Sequence, residues 1–193
     1  KELQLLRFIR TNFTAEQVEI RVDANGAFDK NKALDKLIQL YEFELHSIEQ
    51  PIAKNNTDRM AELCKSTPFP IALDEELIGV FTKKEKVTLL QKISPQFVIL
   101  KPSLVGGFRG TKEWIDTAEQ LQMKWWITSA LESNIGLQAI AQLTGDYDVK
   151  IPQGLGTGQL YTNNFASGLS IEKGNILFDP TFPRESPFQP LSL

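Results

Sequence analysis

Residues 96–103, QFVILKPS, form the most strand-like stretch of the chain, because four consecutive apolar residues precede Lys101 and a proline. An uninterrupted apolar run of this kind is typical of a parallel strand that is covered on both faces. Three earlier stretches have the same form but end in an acid, namely EIRVD at 19–23, LHSIE at 45–49 and PIALD at 70–74. Each is followed by a turn and then by a helical pattern, so the sequence predicts strands that alternate with helices.

The residues that end the four runs recur at nearly even spacing. Asp23, Glu49, Asp74 and Lys101 are 26, 25 and 27 residues apart, which is about the length of one strand plus one helix. The same patterns give six strands and six helices, and the last strand is IPQGLGTG at 151–158. A complete barrel of this type has eight strands and needs about 250 residues. The predicted fold is therefore α/β, with about six consecutive β/α units of a TIM barrel.

Composition and charge exclude several classes of function. The chain has 193 residues, a hydrophobic content of 41% and a net charge of −3, so no nucleic-acid partner is expected. No apolar run approaches the roughly 18–20 residues that a membrane helix needs, so no membrane partner is expected. A single cysteine, Cys64, excludes an internal disulfide and fits a cytoplasmic location. A single histidine, His46, excludes a multi-histidine metal site and argues against a serine-type triad.

Asp23, Glu49 and Asp74 form a candidate metal site. In a β/α barrel the carboxyl ends of the strands meet at one face, where the active site lies. Three carboxylates there suit Mg²⁺, with Mn²⁺ as an alternative, and they would repel one another without a cation. Each acid alone is more simply explained as a helix cap or a loop residue, but their common register favours a site. Glu75 and Glu76 follow directly, and Asp74 is preferred to them because it ends the apolar run.

Lys101 is the candidate catalytic residue. A lysine at the end of an apolar strand is either a charge at the rim of the barrel or a functional amine. Its register with the three acids favours a functional amine that stabilises charge or exchanges a proton. A Schiff-base lysine is the competing functional interpretation, and the three acids argue against it because that chemistry does not need them.

Five further residues are candidates for substrate binding. Asn25 lies in the DANG turn, and Gly106 and Gly107 lie in the loop after Lys101, where free N–H groups before a helix can hold a carboxylate. Ser129 and Glu132 lie in TSALES, after the next predicted strand. Each of the five also has a plain structural alternative, as a turn, a flexible link or a helix cap.

Several stretches together resemble the enolase superfamily in its muconate-lactonizing subgroup and, within it, the o-succinylbenzoate synthases. These stretches are RVDANGAF, SIEQPI, ALDEEL, ILKPSLVGGF and TSALESNIGLQAIAQL. The resemblance implies an enolase-type (β/α)7β barrel in which the three acids bind Mg²⁺ and the lysine lies across the site. It assigns residues 1–160 to a partial barrel domain with the third to eighth strands. Residues 161–193 become a C-terminal tail that packs on the barrel or on a capping domain that is absent here.

The resemblance also implies a reaction, that of a carbon–oxygen lyase. Water would be removed from 2-succinyl-6-hydroxy-2,4-cyclohexadiene-1-carboxylate to give o-succinylbenzoate in menaquinone biosynthesis, through an enediolate that the metal stabilises. The implied partners are this small carboxylate and the remainder of a longer chain, namely the capping domain and the first two barrel strands. The family's Lys-x-Lys base is expected on that second strand, before Lys1, so the chain alone is expected to be inactive.

Four alternatives to this reaction can be judged by the residues that they need. N-succinylamino acid racemisation and lactone cycloisomerisation would use the same acids and the same lysine for a different reaction. Dipeptide epimerisation is disfavoured, because GLGTG at 154–158 replaces the Asp-x-Asp that such enzymes of the family carry. A non-catalytic barrel that binds a metabolite is an alternative from another class, and the four charged residues at the strand ends argue against it.

Overall fold

A five-stranded parallel sheet forms the centre of the fold in the computed structural model, which describes residues 1–183. Its strands are adjacent in chain order, as expected for β/α units that wind in one direction. The strands are Arg21–Asp23 (β1), Ser47–Glu49 (β2), Ile71–Leu73 (β3), Phe97–Leu100 (β4) and Lys124–Ile127 (β5). This architecture confirms the predicted fold class.

Within residues 1–183, six helices flank the sheet, and they are the six that the apolar periodicity predicts. They are Glu2–Asn12 (α1), Ala33–Leu40 (α2), Thr57–Ser66 (α3), Lys83–Ile93 (α4), Gly107–Gln120 (α5) and Asn134–Gly145 (α6). Helix α4 begins at a capping box, because the Thr82 hydroxyl accepts from the Glu85 N–H and the Glu85 carboxylate accepts from the Thr82 N–H. Short 3₁₀ turns lie at Tyr41–Phe43, Glu75–Leu77 and Gly156–Leu160.

Both faces of the sheet are covered, as the continuous apolar run of β4 predicts. Along this strand, Val98 and Leu100 pack in the main core beneath the helices, whereas Phe97 and Ile99 pack in a second cluster on the inner face. All four side chains are buried. Burial of one large apolar side chain contributes about 1.5–3 kcal/mol, so this alternation fixes which way each strand faces.

The sixth predicted strand is present only as a single parallel bridge between Thr128 and Gly154. A Cβ atom on Gly154 would collide with the Thr128 side chain, so the close backbone approach at this bridge requires glycine. Within the described residues the sheet therefore does not close into a barrel, and β1 and β5 are its outer strands.

An antiparallel hairpin lies in the segment that the sequence assigns to the C-terminal tail. It consists of Leu169–Glu172 (β6) and Asn175–Phe178 (β7). Lys173 and Gly174, with φ values of 49° and 79°, form the two-residue turn, a geometry that suits a tight hairpin. The rest of that tail, residues 184–193, lies outside the described residues. In the described part of the chain, no helix has the length and apolar character needed to cross a membrane.

Candidate active site

Three carboxylates and Lys101 converge at the carboxyl edge of the sheet. Asp23 and Glu49 are partners in register at the ends of β1 and β2. Asp74 directly follows β3, and Lys101 directly follows β4. The Lys101 ammonium donates a hydrogen bond to Asp74 Oδ2, and its Nζ atom lies 3.5 Å from Glu49 Oε1. The structure thus brings together the four residues that the sequence places at successive strand ends.

The cluster contains more negative than positive charge. Burial, followed by the neighbouring Asp23 carboxylate, raises the pKa of Glu49 to about 8, although the Lys101 charge acts in the opposite direction. Burial lowers the pKa of Lys101, but its hydrogen bond to Asp74 and the nearby carboxylates raise this pKa above its ordinary value overall. One ammonium therefore faces three carboxylates, which disfavours the ionised form of Glu49 unless another cation is present.

Glu75 is a fourth carboxylate beside this cluster. The sequence favours Asp74 over it as the candidate metal ligand. The Glu75 Oε2 atom is buried and has no hydrogen-bond partner among the described residues. Burial raises the pKa of Glu75, and the charges of Asp74 and Asp23 add to this effect. Buried polar atoms are rarely left unpaired, because each costs about 1–3 kcal/mol. This oxygen is thus an unpaired acceptor beside the candidate metal ligands.

The donor chemistry of the cluster fits a hard divalent cation, although its spacing is not that of a finished coordination shell. All of the candidate donors are carboxylate oxygens, the ligands that Mg²⁺ prefers. In residues 1–183, no group of three or more His, Cys, Asp or Glu side chains has the arrangement of metal ligands. The Lys101 ammonium already donates to the Asp74 carboxylate. Lys101 would therefore compete with a cation for the charge of Asp74.

A buried pair, Gln50 and Glu76, lies directly behind the carboxylates. Gln50 is fully buried and has a φ of 36°, a left-handed conformation that costs a non-glycine residue on the order of 1–3 kcal/mol. Its Oε1 atom accepts hydrogen bonds from the N–H groups of Asp74 and Glu76 at 3.2 and 3.3 Å. Its Nε2 atom donates to the Ile52 carbonyl and the Glu76 carboxylate at 3.0 and 3.2 Å. Every hydrogen-bonding position of the amide is therefore used.

Three of the predicted substrate-binding residues lie in turns at the ends of β1 and β4. The Asn25 N–H donates to Asp23 Oδ1 at 2.7 Å, so this turn orients the Asp23 carboxylate through the backbone. Gly106 and Gly107, with φ values of 98° and 68°, form the turn that begins α5. Their left-handed conformations explain the two glycines in structural terms.

The other two predicted substrate-binding residues follow β5. Ser129 Oγ lies 2.6 Å from Thr157 Oγ1 and accepts from the Leu131 N–H at 3.0 Å. Glu132 accepts a hydrogen bond from the Ser103 hydroxyl, and its Oε2 atom is buried without a partner among the described residues. Within residues 1–183, no hydrogen bond or ion pair connects these two residues to the four-residue cluster. Their contact with substrate stays a prediction.

Two cavities differ in their chemistry. The smaller one, with a volume of about 430 Å³, lies inside the curved sheet and is lined by Asp23, Glu49, Arg21 and Trp126, among others. The larger one, of about 730 Å³, lies between α6 and the β6–β7 hairpin, and no acidic residue lines it. We assign the site to the smaller cavity, because Asp23 and Glu49 line it and it is large enough for a small ligand.

The chain is similar to known proteins in both sequence and structure. Residues 1–177 match the family described as Enolase C-terminal domain-like. An o-succinylbenzoate synthase from Desulfotalea psychrophila is 53% identical over 174 residues, which are 90% of this chain and 47% of that protein. The crystal structure of MenC from Desulfotalea psychrophila LSv54 matches with a TM-score of 0.88 and 52% identity, over 91% of this chain and 49% of that chain.

A relative with a different name is also similar along most of the chain. An N-succinylamino acid racemase from Amycolatopsis sp. is 25% identical over 182 residues, which are 94% of this chain and 48% of that protein. The chain thus spans about half the length of the curated relatives that it matches.

Proposed function

Because this chain belongs to the enolase C-terminal domain-like family, we propose that it supplies the cation-binding part of an o-succinylbenzoate synthase. The 53% identity to a protein of that name supports the choice of activity within the family. The observation that carries the proposal is the convergence of Asp23, Glu49 and Asp74 around Lys101 at the carboxyl edge of the sheet.

The proposed reaction is the loss of water from 2-succinyl-6-hydroxy-2,4-cyclohexadiene-1-carboxylate. A base takes the proton α to the carboxylate, and the electron pair of that C–H bond forms the new ring double bond. The adjacent hydroxyl group leaves as water after it gains a proton, and the ring becomes aromatic as o-succinylbenzoate. The proposal places the base and the cover over the substrate outside residues 1–193, in the remainder of a longer chain.

The residues of the cluster have separate roles in this proposal. Asp23, Glu49 and Asp74 would hold Mg²⁺, or Mn²⁺ in its place. The bound ion would supply positive charge beside the substrate carboxylate, where negative charge grows as the α-proton leaves. Lys101 carries a charge that can stabilise the same negative group once it no longer pairs with Asp74. The three carboxylates outnumber the one ammonium group, which supports cation binding by the acids.

N-succinylamino acid racemisation is the second candidate, because a racemase of that name is similar over 94% of this chain. It also begins with removal of a proton α to a carboxylate, so the same acids and Lys101 would serve it. The two reactions differ in the next step, since the racemase returns a proton to the opposite face and no group leaves.

Assays of both reactions on the full-length natural protein test the proposal. We expect dehydration of the cyclohexadiene substrate that EDTA abolishes and Mg²⁺ restores, with little racemisation of N-succinylamino acids. Racemisation without dehydration would overturn the substrate assignment, and the absence of both activities would favour a metabolite-binding barrel. Glu49→Gln should abolish the metal-dependent turnover. Asp58→Asn is the matched control, because this α3 carboxylate is 87% exposed and pairs with Lys92 on α4 instead of with Lys101.

A further inference from the structure

We propose that Gln50 is a positioning residue that holds the three candidate cation ligands, Asp23, Glu49 and Asp74, at a fixed mutual spacing. The inference rests on the proposed function, because it concerns the same cation site. Gln50 directly follows Glu49 in the chain and is completely buried, so it contacts neither solvent nor the cavity. Its effect on the site must therefore act through the backbone of the three strand ends.

The backbone of Gln50, which directly follows β2, links this strand to the turn after β1 and to β3. Its carbonyl accepts from the Gly26 N–H at 2.7 Å, in the turn that follows Asp23. Its own N–H donates to the Ala72 carbonyl in β3 at 2.9 Å. The left-handed φ of 36° at Gln50 allows the carbonyl and the side chain to reach these different partners. Backbone hydrogen bonds of one residue thus join the end of β2 to the turn after β1 and to the middle of β3.

The side chain of Gln50 adds a direct contact to the third ligand. Its Oε1 atom accepts from the Asp74 N–H at 3.2 Å and from the Glu76 N–H at 3.3 Å. These bonds fix the backbone of Asp74 and so restrict the position of its carboxylate. Asp74 directly precedes the 3₁₀ segment Glu75–Leu77. The Asp74 carboxylate itself is left free for Lys101 or a cation.

Glu76 holds the Gln50 amide in one orientation. The Glu76 Oε2 atom accepts from Gln50 Nε2 at 3.2 Å, while its Oε1 atom accepts from the Asn55 N–H at 3.2 Å and lies 3.4 Å from the Thr57 hydroxyl. A flipped amide would place its oxygen against the Glu76 carboxylate and its NH₂ group against two backbone N–H groups. The contacts therefore require an amide with its donor and acceptor on these particular sides, and a carboxylate at position 50 would repel Glu76.

Gln96, which directly precedes β4, provides a matched comparison, because its side-chain amide also bonds the backbone of β3. Its Oε1 atom accepts from the Ile71 N–H at 2.9 Å, and its Nε2 atom donates to the Cys64 carbonyl at 3.2 Å. Gln96 therefore also bonds the backbone of β3, but at the amino end of the strand, away from the carboxylates. A substitution there should disturb the fold in a similar way without changing the spacing of the ligands.

The test compares Gln50→Met with Gln96→Met in the full-length natural protein. Mn²⁺ affinity is measured by the decrease of the free Mn²⁺ signal in an EPR titration, together with the spectrum of the bound ion and the Tm. We expect both variants to have a lower Tm. Only Gln50→Met should raise the Kd for Mn²⁺, by about 10- to 100-fold, the range found when groups that orient metal ligands are removed. Its bound-ion spectrum should also broaden.

The possible outcomes separate this inference from the proposed function. A wild-type protein that binds no Mn²⁺ would overturn the cation site and the inference with it. A wild-type protein that binds Mn²⁺, with an unchanged Kd in Gln50→Met or an equal increase in Gln96→Met, would overturn the role of Gln50 alone. If Gln50→Met does not fold, Gln50→Asn replaces it, because the shorter amide keeps its polarity but cannot span Asp74 and Glu76. The same increase in Kd is expected, and an unchanged Kd would again overturn the role.

Discussion

Two lysines of this chain, one fully buried and one partly exposed, have opposite electrostatic surroundings. Lys86 on α4 is fully buried, and its ammonium donates to the Glu113 carboxylate at 2.9 Å and to the Gly110 carbonyl at 3.1 Å, both on α5. It also lies 5.4 Å from the centre of the Trp114 ring, a distance that suits a cation–π contact. Lys101, at the end of β4, instead faces the excess of carboxylates described above.

The balance of charge, and not burial alone, therefore separates a structural ion pair from a site. The hydrogen bond from Lys86, followed by that from Arg109, lowers the pKa of Glu113, so this carboxylate is stabilised as an ion. Glu49, beside Lys101, has a pKa raised to about 8, mainly by burial and by Asp23. A carboxylate with matched partners joins two helices, whereas carboxylates in excess of their cations favour the binding of another cation.

Removal of one carboxylate charge from the cluster around Lys101 should have the largest effect on turnover. Asp74→Asn keeps the size of the side chain but removes a charge from the cluster, so we expect turnover by the full-length protein to fall by about 10³-fold or more. Steady-state assays of dehydration at saturating Mg²⁺ measure this loss, with Asp58→Asn as the control that retains activity. Near-normal turnover of Asp74→Asn would show that the excess charge has no role in the reaction.

Removal of the lysine from the cluster should change two properties in opposite directions. Lys101→Met should lower kcat by about 10²–10³-fold, the scale found when one charge-stabilising donor is lost. It should also tighten Mn²⁺ binding by about tenfold or more, because the Asp74 carboxylate no longer has a charged hydrogen bond worth about 1.5–3 kcal/mol. Assays of kcat and EPR titration of Mn²⁺ measure the two effects. An unchanged kcat would reduce Lys101 to a charge at the rim of the site.

The equivalent substitution at the other lysine should affect stability alone. Lys86→Met removes the charged hydrogen bond that the buried ammonium adds to the Gly110 carbonyl, which costs about 1.5–3 kcal/mol and lowers the Tm by several degrees. The Glu113 carboxylate is partly exposed and can turn to water, so it adds less to this cost. Thermal unfolding and kcat are measured on the same sample. A large fall in kcat at unchanged Tm would contradict the assignment of Lys86 as structural.

The sequence predicts the β/α repeat and the strand-end residues because both depend on local patterns. Apolar runs mark the strands, and their regular spacing aligns Asp23, Glu49, Asp74 and Lys101 at one edge of a parallel sheet. The capping box at Thr82 is also a local signal, since its two partners are three residues apart. These features need no knowledge of distant contacts.

The remaining features depend on contacts between distant parts of the chain. Gln50 and Glu76 interact only because β2 and β3 are adjacent and Gln50 adopts a left-handed conformation, which no single-sequence pattern reveals. The approach of Glu75 to the cluster depends on the 3₁₀ turn after β3. The sixth predicted strand shrinks to one bridge at Gly154 because its pairing depends on neighbours that local pattern cannot specify.

The smallest effect is expected for a second cation that contacts the same carboxylate as Lys86. Arg109 is 91% exposed and lies 3.1 Å from Glu113, one helical turn away on α5. Water and salt screen such a pair, so Arg109→Ala should change the Tm by no more than about 1 °C and leave kcat unchanged. Thermal unfolding at low and high salt measures the effect. A decrease as large as that of Lys86→Met would mean that exposed charge, and not the buried contact to Gly110, joins α4 to α5.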